Sequence, residues 1–385
     1  MNATTQSDTK HLQDVQLLND ELYMYIRLLL WSLILILSLN AVIVNVLNVL
    51  TFYTIGLVDS VSTCFFCLSV ADVLSMITLL YCSCTALYSI ISQAGDWVVH
   101  FSFLMFRSLY TSTDISAAIT AYIAIQRAVC VAFPFFARHF FTKNKSLANK
   151  SLAVITALVV IILAFTLPSV ASMRLIVVAD PQTNSSVVRV HFTHTFTMAN
   201  QFFISFVKIG LLFVEQVVMG TCLIVTTYGI MSSRNLRVLS SLSPPAAKLK
   251  PDSEERTKET KKAGDGFNSG AYNDENKIQN RQLVPETDER QMRRLKKEIR
   301  AIKQSVIVVL IHIICVTPRM VLSIVNLAEP RLSIERQNRN LYDVIYLALN
   351  VNDCINALMN FFVYFRFNDA FRTTVISLKS RTRSQ

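Results

Sequence analysis

Long runs of apolar residues, separated by short polar stretches, dominate the chain. A helix crosses the hydrocarbon core of a bilayer with about 20 predominantly apolar residues. Seven runs meet this condition, at 26–52, 61–91, 101–132, 151–173, 202–231, 298–327 and 341–366. Because the 385 residues include only 8 glycines and 9 prolines, long unbroken helices are favoured over a turn-rich β-fold. The pattern predicts an all-α fold, a bundle of seven transmembrane helices.

Two segments outside these runs have patterns of their own. Phe367 to Leu378 combines apolar and basic residues at helical spacing, which predicts a short amphipathic helix on the cytoplasmic surface after the seventh span. Ser, Pro, Lys, Glu and Asn dominate the long loop before Gln291, and this composition predicts disorder. From Gln291 onward, apolar residues such as Leu295 and Ile299 return at helical spacing, so the sixth helix is expected to extend into the cytosol.

These patterns divide the chain into five regions. They are an extracellular N-terminus at 1–25, transmembrane helices 1–5 at 26–231, a disordered third cytoplasmic loop at 232–296, transmembrane helices 6–7 at 297–366, and a cytoplasmic surface helix and tail at 367–385. The N-terminal region begins with polar residues, so no cleavable signal peptide is predicted and the first apolar run is expected to remain a helix.

Composition and charge indicate a membrane protein and argue against a soluble protein and a nucleic-acid-binding protein. The chain is 52% hydrophobic and only 16% charged, whereas a soluble protein is nearer a quarter charged. The net charge of +11 does not indicate nucleic-acid binding, because the basic residues between Arg234 and Lys303 are mixed with acidic ones. The predicted environment is therefore a lipid bilayer, with no nucleic-acid partner.

The basic residues also predict the orientation. Cytoplasmic loops carry an excess of Lys and Arg, and short loops are the informative ones. The loop after the third span contains Arg138, Lys143 and Lys145, and the tail is also basic, so the N-terminus is predicted outside and the tail inside. Glycosylation sequons at Asn2 and Asn184 then fall outside. These features predict a multi-pass glycoprotein of the plasma membrane.

The 8 cysteines all lie inside apolar runs, which is typical of buried packing thiols. Cys64 and Cys67 have the spacing of half a zinc site, but no second pair and no nearby histidine completes it. Neither a zinc site nor a disulfide framework is predicted.

Several polar residues lie within the spans, where polar groups are costly and often functional. Asp72 is an acid in the second span with no basic partner nearby in sequence. Asn45, Ser116, Asn356 and Asn360 lie at similar depth in other spans. Oxygen groups around one carboxylate suit a hard cation or a water cluster. Ordinary hydrogen bonding between helices is the alternative interpretation.

A series of short motifs, in order along the chain, resembles the rhodopsin-like (class A) G protein-coupled receptors. The matching positions are Asn45, Leu68 to Asp72, Trp97, Gln126-Arg127-Ala128 with Pro134, Pro168, Tyr228, Cys315 to Pro318, Asn360 to Tyr364, and Phe371-Arg372. Each match alone is weak, but their order and spacing together are specific. Within the family, the stretches around Arg127 and after Ser333 look most similar to molluscan chemosensory and orphan peptide-type receptors.

The resemblance implies a receptor that transmits an extracellular ligand signal to a heterotrimeric G protein, with no enzymatic activity. It implies a sodium pocket formed by Asp72, Ser116, Asn356 and Asn360, and no cofactor other than this allosteric ion. It also implies that coupling and switching depend on Arg127, Glu298, Tyr228, Tyr364 and Pro318. Arg127 and Glu298 are expected to pair at the cytoplasmic face and to hold the inactive state.

The chain departs from the family pattern at several positions. Ser102 replaces the outer cysteine of the third helix, and the loop at 174–201 has no cysteine, so no disulfide is expected between the outer loops. Val316 replaces the tryptophan of the sixth helix, and Leu158 replaces that of the fourth. Gly220 and Phe361 replace the prolines of the fifth and seventh helices.

Two positions argue against two ligand classes of the family that the chain resembles, the biogenic amines and retinal. The position of the amine-binding aspartate is Leu109, and the position of the retinal-binding lysine is Cys354. An extracellular peptide, as for a neuropeptide receptor, or a small environmental chemical remains. Two apolar runs around the turn at 180–186 predict a β-hairpin in the second outer loop, as on peptide receptors.

Two other functional classes are open at this stage. A transporter or channel would predict an internal repeat with interrupted helices, and the sequence has no such repeat. An intramembrane enzyme would need paired catalytic groups such as Gly-x-Ser-x-Gly or His-Glu-x-x-His, and neither motif occurs. The multi-pass transporter or channel is the main alternative to a receptor.

Overall fold

The structure is a computed structural model that describes residues 18–57, 59–92, 96–133, 145–171, 173–179, 186–192, 208–242, 274–328 and 338–383. Its helices are α1 (Asp20–Ile55), α2 (Ser60–Ser92), α3 (Asp96–Ala132), α4 (Lys145–Ala171), α5 (Lys208–Leu242), α6 (Asp274–Ala328), α7 (Arg339–Phe367) and α8 (Asp369–Arg383). Strands β1 (Met173–Ala179) and β2 (Ser186–Phe192) lie between α4 and α5. The predicted bundle of seven long helices with a short helix after the seventh is confirmed.

Local capping explains where two of these helices begin and end. The Asn19 side chain accepts a hydrogen bond from the Glu21 amide at 3.3 Å and caps the start of α1. Gly56, with φ of 91°, ends α1 in a conformation that other residues rarely adopt. Between α7 and α8, the Asn368 amide donates to the Tyr364 carbonyl at 2.9 Å, while its side chain accepts from the Phe371 amide at 3.1 Å. Asn368 therefore ends one helix and starts the next.

Five of the described helical segments are long and apolar enough to cross a membrane. They are Asp20–Ile55, Ser60–Ser92, Thr111–Ala132, Ile209–Ser232 and Ile299–Asn326. In α4 the apolar part among the described residues is the shorter segment Asn149–Ala164. Helix α7 has the length of a span, but Asp343, Asp353 and its asparagines reduce its hydropathy. Polar residues in a span are tolerated where they face the bundle interior.

Three clusters of buried residues hold the bundle together, and the smallest joins α3, α5 and α6 through Ala121, Ala124, Met219 and Val309. At the end where α8 lies, here called the α8 end, Phe52, Phe65, Tyr364 and Phe371 join α1, α2, α7 and α8 with ring centroids 4.9–6.1 Å apart. The second cluster, toward the opposite or hairpin end, includes Trp31, Met76, Leu109 and Leu347 from α1, α2, α3 and α7. Aromatic pairs at such distances stabilise a fold beyond their buried area.

The hairpin predicted in the second outer loop is confirmed. Strands β1 and β2 pair antiparallel, with Met173 opposite Phe192 and Ala179 opposite Ser186. β-branched residues dominate both strands, and they favour extended backbone. The hairpin follows α4 directly and therefore lies at the end of the bundle opposite α8.

The region predicted to be disordered, 232–296, is helical at both of its ends. Helix α5 continues to Leu242 and α6 begins at Asp274, so the prediction does not hold for 232–242 and 274–296. The reason is composition, because Glu, Gln, Lys and Arg have high helix propensity and are compatible with a solvated helix. The helix predicted from Gln291 onward is confirmed as a continuous part of α6, and its position in the cytosol stays a prediction. Residues 243–273 lie outside the described part of the chain.

Several predictions concern residues that the structure does not describe. Asn2, Asn184 and Pro134 lie outside the described ranges. The backbone of Trp97, Ser102, Pro168 and Glu298 is helical, but their side chains are outside the described part.

All 8 cysteines are free thiols in the structure, and Cys64, Cys82 and Cys354 are fully buried. Within the described ranges, no group of three or more His, Cys, Asp or Glu side chains could hold a metal ion. The Cys64 thiol lies 3.6 Å from the Gln126 amide oxygen, which is a packing contact between α2 and α3.

Mild reduction is expected to leave the protein unchanged, because no disulfide joins its cysteines. Loss of a native structural disulfide usually costs about 2–5 kcal/mol, which a thermal unfolding curve would detect. The measurement compares surface expression and the unfolding temperature of the purified chain with and without dithiothreitol. A clear decrease in either quantity, or a disulfide mapped by mass spectrometry, would contradict the expectation.

Candidate functional site

A buried carboxylate lies at the centre of the bundle, where α2, α3 and α7 meet. The Ser116 hydroxyl donates to Asp72 Oδ1 at 2.8 Å, and the Asn360 amide Nδ2 donates to Asp72 Oδ2 at 2.8 Å. All three residues are at most 6% exposed. Both carboxylate oxygens therefore have a donor from another helix, which reduces the cost of burying the charge.

Asn356 and Asn45, which were expected near Asp72, make different contacts. The Asn356 amide lies 3.5 Å from His312 Nδ1, so this side chain faces α6. Asn45 donates to the Ala357 carbonyl at 3.1 Å and holds α1 against α7. Its own oxygen accepts from Asn48 at 3.0 Å. Of the five predicted groups, the structure brings Asp72, Ser116 and Asn360 into direct contact.

The contacts around Asp72 provide a partial fit for a sodium ion. The residues offer a carboxylate, a hydroxyl and an amide oxygen, which are the ligand types that hard cations prefer. Asn360 Oδ1 is buried and has no hydrogen-bond partner among the described residues, so it is available as a ligand. Asn356 lies on the α6 side of the cluster and does not complete the set.

At the α8 end, Gln126 connects α3 to α2 and α4. Its amide donates to the Ser60 hydroxyl at 2.9 Å and to the Ser151 hydroxyl at 3.3 Å. Ser60 and Ser151 are also hydrogen bonded to each other at 2.5 Å, and the Tyr122 hydroxyl donates to Ser151 at 3.3 Å. This buried cluster holds three helices in a fixed arrangement through neutral groups.

Arg127, the next residue, contacts a different helix. Its Nε donates to the Ser305 hydroxyl of α6 at 3.0 Å, and Ser305 in turn donates to the Ala301 carbonyl at 3.0 Å. The two residues line a small cleft together with Cys222 and Thr226 of α5. A permanent positive charge therefore lies where α3, α5 and α6 approach one another.

The predicted pair of Arg127 and Glu298 is not tested, because the Glu298 side chain is outside the described part of the chain. The backbone geometry is compatible with it. Ser305 follows Glu298 by seven residues, or two helical turns, so the two lie on nearly the same face of α6, about 10 Å apart along its axis. The Arg127 contact with Ser305 therefore identifies the face on which Glu298 lies.

The other predicted switch residues occupy different surroundings. Tyr364 is fully buried in the aromatic cluster at the α8 end, whereas Tyr228 is 74% exposed on the outside of the bundle. Thr226, two residues earlier and about 200° around the helix, is 2% exposed and faces the cleft. Pro318 also faces outward, on the surface of α6. The structure does not bring Tyr228 or Pro318 into contact with Arg127.

One buried ion pair, between Arg319 of α6 and Asp353 of α7, was not predicted from the sequence. Arg319 Nη2 lies 2.5 Å from Asp353 Oδ2, with both side chains at most 13% exposed. The same atom donates to Asn350 Oδ1 at 3.1 Å. The available signals were the base Arg319 in the sixth apolar run and the acid Asp353 in the seventh. Neither run alone shows that the two side chains lie at the same depth and point toward each other.

The contacts described above join six of the seven long helices through polar groups, and α5 lines the cleft beside Arg127 at the α8 end of α3. Among known families, the model of the 7 transmembrane receptor (rhodopsin family) matches residues 44–364 of the chain. A search of curated proteins finds none that matches the chain. The family match covers more than half of the chain and includes all seven long helices from the middle of α1 to the end of α7. The chain therefore belongs to the rhodopsin family of seven-transmembrane receptors, and it is a multi-pass membrane receptor that acts in signal transduction.

Proposed function

We propose that this receptor transmits the binding of an extracellular peptide or chemosensory ligand to a heterotrimeric G protein at the plasma membrane. The observation that carries the proposal is the contact between Arg127 of α3 and Ser305 of α6, at the edge of a cleft bounded by α3, α5 and α6. Outward movement of α6 would break this contact and free the guanidinium for a protein that enters from the α8 end.

The strength of the contact suits a reversible switch. A single hydrogen bond of this kind contributes about 1 kcal/mol, which biases an equilibrium between two states several-fold without fixing it. Gln126 provides no local anion for Arg127, because its side chain is a neutral amide, and this amide donates to Ser60 and Ser151. In this proposal, the closed arrangement of α6 therefore depends on Ser305 and, if its side chain reaches Arg127, on Glu298.

The distribution of charge supports an orientation with the α8 end in the cytosol. Helix α8 carries Arg372, Lys379 and further basic residues, which suit the anionic inner surface of a membrane. The N-terminus and the hairpin would then be outside, where Asn2 and Asn184 could be glycosylated.

The hairpin and two buried positions support a peptide or a small environmental chemical as the ligand. Leu109 and Cys354 are fully buried and offer neither a carboxylate for an amine nor a lysine for retinal. The hairpin of β1 and β2 lies at the end through which the ligand would enter. A screen of peptide and odorant libraries against cells that express the full chain distinguishes the two ligand classes.

Arg127→Ala is expected to abolish coupling, because it removes the charge that would contact the G protein. Nucleotide exchange on co-expressed G proteins should decrease to the level of membranes without the receptor, while surface expression stays unchanged. Lys150→Ala is the matched control, since Lys150 is an exposed basic residue at the same end of the bundle. Wild-type exchange in Arg127→Ala, or equal loss in both variants, would contradict the proposed role.

Ser305→Ala is expected to raise basal nucleotide exchange about two- to fivefold, because it removes the acceptor that holds Arg127 against α6. Glu298→Ala should have the same direction of effect if Glu298 pairs with Arg127. Thr317→Ala provides a control, since this substitution removes a hydroxyl of α6 that donates to the Ile313 carbonyl of the same helix. Unchanged basal exchange in Ser305→Ala would show that the contact does not restrain α6.

We further propose that the carboxylate of Asp72, with Ser116 and Asn360, takes a sodium ion in the resting state. The ion would supply a positive charge beside a buried carboxylate and so stabilise the arrangement in which α2, α3 and α7 are packed around it. Asn356, the fourth residue expected from the family, is directed toward His312 and is left out of this set.

Asp72→Asn is expected to remove the dependence of both thermal stability and basal exchange on sodium, because ligation needs the ionised carboxylate. The measurement is a titration with sodium chloride against potassium chloride at constant ionic strength, on the purified chain and on membranes. Asn356→Ala serves as the control and should keep the sodium dependence. Identical titrations of wild type and Asp72→Asn would show that the cluster is structural only.

A further inference from the structure

A buried ion pair connects α6 and α7 on the hairpin side of Pro318. Arg319 and Asp353 approach to 2.5 Å, and their side chains are 12% and 13% exposed. The remaining ion pairs among the described residues are more exposed, with side chains at least 29% accessible. Taking two charges out of water is costly unless they meet each other, so their contact is a strong restraint on the two helices.

Helix α7 presents a row of partners to this single guanidinium. Asp353 and Asn350 accept from Arg319 Nη2, and the Tyr346 ring lies 5.8 Å from the guanidinium carbon. Residues 346, 350 and 353 are spaced by four and three positions, which places them on one face of a helix. The face of α7 that meets α6 is therefore built around the Arg319 charge.

Helix α6 packs into the bundle through Val308 and Val309, but it is the least buried of the five candidate spans. In its membrane segment, Ile299–Asn326, 17% of the most apolar window is buried, compared with 56% in Ser60–Ser92 of α2. Pro318 has no backbone N–H, so the hydrogen bond that would normally reach the Ile314 carbonyl cannot form. The helix is therefore easier to bend at the residue directly before Arg319.

We propose that Arg319 and Asp353 form an electrostatic latch that holds α6 against α7 and keeps α6 in its closed position. The proposal rests on the proposed function only in taking the release of α6 as the signalling step. The latch is closed in the same structure in which Arg127 contacts Ser305, so both contacts belong to one arrangement of α6. One contact lies on each side of Pro318.

Opening the latch requires a replacement for one of the two partners. A buried charge that loses its counter-ion is strongly disfavoured, so spontaneous separation is rare. Asn350, Tyr346 and Asp353 all belong to α7, so release of α6 separates Arg319 from all three and leaves the Asp353 carboxylate without this cation. A group that compensates the Asp353 carboxylate, such as a ligand ammonium or guanidinium, therefore opens the latch at least cost.

The test is backbone amide hydrogen exchange on the full chain, purified in detergent and analysed by mass spectrometry. Arg319→Gln and Asp353→Asn should each accelerate exchange in peptides covering 299–309 and 319–326 about tenfold, as expected when a buried charged hydrogen bond is lost. The exchanged pair, Arg319→Asp with Asp353→Arg, should return the rates toward wild type. Asp343→Asn is the matched control, since Asp343 pairs with Arg27 of α1 and not with α6.

Three results would overturn the latch. These are wild-type exchange in both neutral variants, equal acceleration in Asp343→Asn, or an exchanged pair no slower than the single variants. If the neutral variants cannot be purified, Arg319→Lys decides, because it keeps the charge but loses the planar fork that reaches both acceptors. Its exchange should increase about two- to threefold, and wild-type rates in this variant would reject the proposal.

This readout separates the latch from the proposed function. Hydrogen exchange needs neither a ligand nor a G protein, so the latch is confirmed or rejected without them. Basal nucleotide exchange is then measured on the same variants. Faster hydrogen exchange with no increase in nucleotide exchange would support the latch and reject coupling through release of α6.

Discussion

The structure depends on one constraint, which is that polar groups within a membrane-spanning bundle must find their partners inside the bundle. A lipid chain cannot replace a lost hydrogen bond, so each buried polar side chain favours a particular neighbour and a particular rotation of its helix. Asp72 meets donors from α3 and α7, Gln126 meets hydroxyls from α2 and α4, and Asn45 meets a carbonyl of α7. Apolar packing brings these helices together, and the polar contacts select one arrangement among many that would bury similar area.

The same constraint distinguishes α6 from the helices that are packed more deeply in the bundle. Helices α1, α2, α3 and α7 share the two larger buried clusters and the Asp72 group. Helix α6 contributes Val308 and Val309 to the buried clusters. An arginine takes part in two of its contacts, since Ser305 accepts from Arg127 of α3 and Arg319 pairs with Asp353 of α7. Arg300 and Asp369 add an exposed ion pair between α6 and α8. Such contacts break and form as units, which suits an element with two discrete positions.

The sequence was informative wherever one helix could be interpreted by itself. Hydropathy predicted seven helices, β-branched residues predicted the hairpin, and the lone carboxylate of Asp72 identified the polar centre with Ser116 and Asn360. Contacts that depend on the rotation of two helices were not predictable. Each residue turns a helix by about 100°, so an error of one position changes the facing side chain completely. Tyr228 on the outer surface and Asn356 beside His312 have surroundings that the sequence did not indicate, and their proposed roles stay predictions. The meeting of Arg319 with Asp353 was missed for the same reason.

The departures from the family pattern become understandable when the restraints on α6 are considered together. With Gln126 in place of an acid, the residue before Arg127 binds α2 and α4 through neutral hydrogen bonds and leaves Arg127 directed to a serine. The buried ion pair of α6 among the described residues lies instead at Arg319, on the hairpin side of Pro318. A buried electrostatic restraint on α6 thus lies nearer the end where a ligand would enter than the end where a G protein would bind, while Ser305 restrains the other end of the same helix through Arg127.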